Sequence, residues 1–237
     1  GVYCNESIKL PKFPAPKYPH PKWDWRDICE KYPIAQMGIT SEVIKCAIPS
    51  EDNKYPVKAM MIAGTNITKS IPQKELLEKA MDEMEFIVVM DTMPMAVTGY
   101  ADVVLPECTY LERYDGIRSA TNREPSIAVR VPAVEPKYDS KPGWWVAKQI
   151  GERLGLGDYF NYDDYKEVIE WQLQKMGTSL EEMNKIGVKH FPRTSGPLYM
   201  DENKTYEFTT ESGKIELFSK ELKNLGFDPL PNYTKHP

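Results

Sequence analysis

The chain has 237 residues, 41% of them hydrophobic, and a net charge of −5 at neutral pH. That is enough apolar material for one sizeable core with additions. The acidic balance, without any local cluster of Lys and Arg, excludes a nucleic-acid groove and an anionic membrane surface as partners. No apolar run approaches the ~20 residues of a spanning helix, and Gly1-Val2-Tyr3-Cys4 has neither the basic end nor the apolar centre of a signal peptide. Lacking an initiator Met, the chain is expected to be a processed or excised piece. Cys4, Cys29, Cys46 and Cys108 form no C-x-x-C pair, and His20, His190 and His236 are scattered. Free thiols and no metal centre are therefore expected.

Residues 1–39 read as a Pro-rich extended strap. Pro11-Lys12-Phe13-Pro14-Ala15-Pro16-Lys17-Tyr18-Pro19-His20-Pro21 fixes φ and removes backbone donors too often for helix or central strand. Phe13, Tyr18, Trp23 and Trp25 would pin the strap to a surface; a protruding polyproline ligand for a partner is the alternative. A helical turn is expected at Trp25 to Tyr32.

Residues 40–160 read as an α/β lobe with a Rossmann-like parallel sheet flanked by helices. Val57 to Ala63, Phe86 to Met90 and Asp102 to Pro106 are short apolar runs, as buried parallel strands are. Between the first two, Pro72 suits a first helical position, and Leu76, Leu77, Ala80, Met81 and Met84 make one helix face. Ile127 to Val131 reads as a further strand, and Pro142-Gly143 opens a helix that ends at Gly155. Residues 161–237 read as a helical and β-hairpin extension: a helix from Tyr162 to Met176, a short helix after Thr178-Ser179, and an antiparallel pair from Thr205 to Thr209 and Lys214 to Phe218.

Loops at the carboxyl ends of parallel strands are where open α/β sheets hold ligands. Gly64-Thr65-Asn66-Ile67-Thr68-Lys69-Ser70 lacks the second Gly of a Walker loop, and no G-x-G-x-x-G occurs. Asn66 can both donate to and accept from a phosphate or ribose, or it can satisfy its own turn. Asp91 emerges directly after an apolar strand, where its carboxylate can accept from a ribose or from the two adjacent N–H donors of guanine, or cap the following turn. Arg113 offers a fork of donors to a diphosphate, or a surface pair to Glu112 or Asp115. The sequons at Asn66, Asn203 and Asn232 are short enough to be chance.

Gly64-Thr65-Asn66, Val88-Val89-Met90-Asp91, Gly99-Tyr100-Ala101-Asp102-Val103-Val104-Leu105-Pro106-Glu107 and Leu111-Glu112-Arg113, in that order, resemble the third domain of the molybdopterin-dependent oxidoreductases of the dimethyl sulfoxide reductase family. Val134-Glu135-Pro136-Lys137-Tyr138-Asp139-Ser140-Lys141-Pro142-Gly143-Trp144-Trp145 and Ser212-Gly213-Lys214-Ile215-Glu216-Leu217 extend the likeness to thiosulfate and polysulfide reductase catalytic subunits.

The resemblance implies one guanosine end of a bis(molybdopterin guanine dinucleotide) cofactor carrying molybdenum or tungsten. Asn66 would contact the nucleotide, Met90 and Asp91 its guanosine, and Arg113 its diphosphate region. Relatives place a carboxylate where Gly143 stands, and Asp139 is the substitute this sequence offers. The family's iron–sulfur motif, metal ligand and C-terminal domain have no counterpart here, so the chain alone is expected to be inactive and free of metal.

The implied partners are the remaining domains of the same subunit, an iron–sulfur electron-transfer subunit and a membrane anchor subunit. The implied location is the extracytoplasmic face of the cytoplasmic membrane. Which acceptor is reduced (thiosulfate, polysulfide, tetrathionate or arsenate) lies outside these residues. A non-enzymatic interaction module with a proline-rich arm, or an ordinary mononucleotide-binding enzyme, are the other readings.

Overall fold

A computed structural model describes residues 7–17, 44–51, 53, 55–122, 124–192 and 210–233. The turn expected at Trp25 to Tyr32 lies outside them, as do Tyr18, Trp23, Trp25 and residues 205–209.

β1 (Ala59–Ala63) leads through α1 (Ile67–Ser70) and α2 (Lys74–Asp82) to β2 (Phe86–Asp91), and β3 (Val103–Pro106) follows a single 3-10 turn. The three strands pair in parallel in the order β1-β2-β3, with Met61, Val88 and Val103 in one row and Ala63, Met90 and Leu105 in another. Alternate side chains of such strands face opposite ways. Ile62, Ile87 and Val89 accordingly enter a core with Ile44, Ala47, Leu77, Ala80, Met81 and Val97. The helix face expected from Leu77, Ala80 and Met81 is buried there. Its start differs: Pro72 is not the first helical residue, because Gln73 takes a left-handed conformation (φ 66°) and the helix begins at Lys74. Asp102 pins β3 to β2, its carboxylate accepting the Ile87 N–H at 2.7 Å while its own N–H reaches the Ile87 carbonyl at 2.9 Å.

β4 (Asp115–Ala120) and β5 (Ser126–Arg130) form an antiparallel pair. After them come α3 (Gly143–Arg153), α4 (Tyr165–Lys175) and α5 (Leu180–Ile186). β6 (Val188–His190) then completes a second sheet in the order β4-β5-β6. Only β5 was expected. Asp115–Ala120 is polar and its pairing is interrupted by a register shift, so it carries no alternation to read, and β6 has three residues. Ile117 and Ile127 from this sheet share a core with Ile169, Leu173, Leu180 and Met183, which joins residues on both sides of position 160.

α4 starts later than Tyr162 because Asp164 is its N-cap, accepting from the Lys166 N–H while Glu167 reaches back to the Asp164 N–H. Asp164→Ala removes that cap and should cost about 1 kcal/mol, about 2–4 °C in melting temperature by calorimetry. An unchanged melting temperature would mean that the helix start is held by other contacts.

Residues 7–17 form no helix or strand and lie against the second core. The Ile8 N–H donates to Ser119 Oγ, Gln172 donates to the Pro11 carbonyl at 2.7 Å, and Asn161 to that of Pro14 at 3.1 Å. Phe13 meets Trp171 and Tyr162 edge-on. A free polyproline ligand would leave Phe13 unpacked. At the other end Lys214–Phe218 has no strand pairing among the described residues, and α6 (Lys220–Asn224) follows, capped by Ser219. No helix among the described residues is long and apolar enough to cross a membrane.

Candidate functional site

Each strand of the parallel sheet ends at the same edge, and backbone hydrogen bonds hold the three following loops together. The Gly64 N–H donates to the Met90 carbonyl at 3.0 Å, and the Glu107 N–H to the Asp91 carbonyl at 3.0 Å. Beyond Glu107 the chain makes a parallel bridge with Lys141: the Lys141 N–H reaches the Pro106 carbonyl and the Cys108 N–H reaches the Lys141 carbonyl, each at 3.1 Å. That bridge brings the start of α3 to the edge. Gly64 adopts φ +60°, and a Cβ placed on it would meet nothing within 4 Å, so the first loop presents open backbone.

Asn66 stands half-buried at the start of α1. Its Oδ1 accepts the Thr68 hydroxyl at 2.6 Å and its carbonyl accepts the Lys69 and Ser70 N–H groups, so it satisfies its own turn. The side-chain amide nitrogen makes no hydrogen bond among the described residues. Asp91 is also half-buried. Oδ1 accepts the Thr92 N–H at 2.7 Å, which is the turn-capping role; Oδ2 has no partner among the described residues. Met90, 6% exposed, turns its side chain under α3 and offers the edge only backbone.

Arg113 is more enclosed than a surface pair. It donates from Nε to Asp115 Oδ1 at 2.9 Å, and from Nη1 to Glu107 Oε1 at 2.5 Å and to the Cys108 carbonyl at 2.7 Å. Asp115 also accepts from Arg130 at 2.6 Å. Glu112, the other partner considered, instead binds the N–H and hydroxyl of Thr109 and the N–H of Lys137, which holds its pKa below the ordinary value. Asp139 is exposed in the turn before α3, just after Tyr138 at φ 58°, and makes no hydrogen bond among the described residues.

Glu107 was quoted in the motif but given no role by sequence. Its carboxylate lies against the start of α3, close to the Gly143 N–H. Burial pushes its pKa up; Arg113 and the Gly143 N–H act against the rise, and the nearby Asp91 and Asp115 add to it. No local pattern in the sequence marks this contact: the bridge between Glu107 and Lys141 brings Glu107 to Gly143. Cys108 is fully buried, with its thiol 3.6 Å from Ser140 Oγ, and no group of three metal-ligating side chains occurs among the described residues.

Parallel strands ending in an open glycine turn, a strand-end carboxylate and an enclosed arginine define an α/β lobe with its polar groups gathered where such sheets take ligands. The family model described as molybdopterin oxidoreductase matches residues 35–153, and the chain belongs to that family. It is 30% identical over 223 residues to the thiosulfate reductase molybdopterin-containing subunit PhsA of Salmonella typhimurium, covering 86% of this chain and 29% of that protein. Over 185 residues it is 30% identical to the F420-dependent formate dehydrogenase subunit alpha of Methanocaldococcus jannaschii, covering 75% of this chain and 26% of that one. Among solved structures, acetylene hydratase from Pelobacter acetylenicus superimposes with a TM-score of 0.62 at 26% identity, over 80% of this chain and 25% of that chain. The chain thus spans less than a third of the length of each of these relatives.

Proposed function

We propose that this chain holds one guanosine end of a molybdopterin guanine dinucleotide carrying molybdenum or tungsten, in a full-length oxidoreductase that reduces thiosulfate or polysulfide. The observation that carries the cofactor reading is the convergence of Gly64–Asn66, Asp91 and Arg113 on one edge of the parallel sheet. The donor set fits the group: open backbone at Gly64 admits a phosphate or ribose closely, Asn66 retains an amide donor, and Asp91 Oδ2 is an acceptor for guanine N–H groups.

When bound, the metal centre of such a cofactor supplies two-electron chemistry coupled to atom transfer. In this reading the residues here bind and orient the cofactor. Likeness to the Salmonella thiosulfate reductase subunit over 86% of the chain supports the substrate. An iron–sulfur cluster and metal ligand elsewhere in the polypeptide, an iron–sulfur electron-transfer subunit, a membrane anchor subunit and an extracytoplasmic location complete the proposal.

The substrate is tested with the full-length protein and reduced viologen dye. Dye oxidation is expected on adding thiosulfate or polysulfide. Oxidation by nitrate alone would overturn the sulfur assignment.

A further inference from the structure

Gly143 opens α3 without a side chain, and Glu107 occupies the space. A Cβ on Gly143 would lie 3.0 Å from Glu107 Oε1 and 3.3 Å from the Met90 terminal methyl, closer than such contacts normally come. The same oxygen accepts Arg113 Nη1, so one carboxylate after the end of β3 sits against the start of α3 and holds the loop that carries Arg113. Its side chain is only 12% exposed. Stability alone is a poor reason for this arrangement, because desolvating a buried pair offsets most of its attraction and an apolar replacement would pack as well. Position is a better one. Glu107 and Asp115 balance Arg113 and Arg130, and Asp91 nearby adds a further negative charge, so Arg113 serves through the direction of its donors and not through net attraction. With Nε and Nη1 held by protein acceptors, Nη2 is the donor left among the described residues.

We propose that Glu107 is a positioning residue for Arg113, fixing its guanidinium so that Nη2 meets the diphosphate of a bound nucleotide cofactor, and that Gly143 is required because it makes room for Glu107. The proposal rests on the cofactor reading above. A mere charge effect would run the other way, since removing Glu107 leaves more positive charge for a diphosphate.

The test uses the full-length protein, with acid-released GMP per chain measured after extended gel filtration. Glu107→Ala should lower GMP about tenfold, the worth of one charge-assisted hydrogen bond. Glu107→Gln, whose amide oxygen still accepts from Arg113 Nη1, should restore most of it. Gly143→Ala should reproduce the loss without deleting any polar group, and it decides the matter if Glu107→Ala fails to fold. On an Arg113→Ala background, Glu107→Ala should cause no further loss. Retained or increased GMP in Glu107→Ala overturns the proposal, as does a full additional loss on that background, which would mark a role independent of Arg113. A wild-type protein that yields no GMP refutes the cofactor reading instead.

Discussion

Asp91→Asn in the full-length protein is expected to lower its content of guanine nucleotide and metal sharply while leaving the melting temperature where it was. Asp91 does two things at once. Oδ1 holds the turn through the Thr92 N–H, and Oδ2 has no hydrogen-bond partner among the described residues. Asparagine keeps an oxygen for Thr92 but can place an amide donor where the guanine N–H groups need an acceptor. Two hydrogen bonds to a charged group, at about 1.5 kcal/mol or more each, make that change worth about 3 kcal/mol, a hundredfold in affinity at that end. Activity per bound metal should be preserved, because nothing at the reacting centre has changed. A lowered melting temperature with unchanged metal and nucleotide would leave Asp91 only its turn.

The second large effect is expected far from the edge. Leu173 in α4 is fully buried between the second sheet and α5. Leu173→Ala should cost about 2–5 kcal/mol, from lost burial and the cavity left behind. Native domains hold only about 5–15 kcal/mol in total, so this is a large share. The consequence reaches the site through β4, which carries Asp115 against Arg113. Calorimetry of the variant measures it, and a loss under about 1 kcal/mol would mean that this core is looser than its packing indicates.

The sequence made some of this legible and hid the rest for physical reasons. Three apolar runs with helices between them can be little other than a parallel sheet, and their pairing is as expected. α3 ends before Gly155, at φ +74°, where a glycine stop was expected. Asp102, inside the most recognisable string of the chain, proves to be a clip between β2 and β3. A motif match identifies a residue without saying which partner it takes.

Arg113 shows the limit on the other side. Spacing suggested Glu112 or Asp115, one or two residues away, and Asp115 is indeed bound. The other anion, Glu107, lies six residues before Arg113 across the turn at residues 110–111, a spacing that no helix or strand period encodes. The polar strand β4 was hidden because it is held by pairing with β5 and by the single buried Ile117, not by alternation along its length.

The central claim is that this lobe holds a guanine nucleotide cofactor. Acid hydrolysis of the purified full-length protein, followed by chromatography of the released nucleotide alongside metal analysis, tests it most directly. GMP in stoichiometric proportion to the chain, together with molybdenum or tungsten, is the predicted result. Release of no nucleotide, or of AMP or CMP alone, would contradict it.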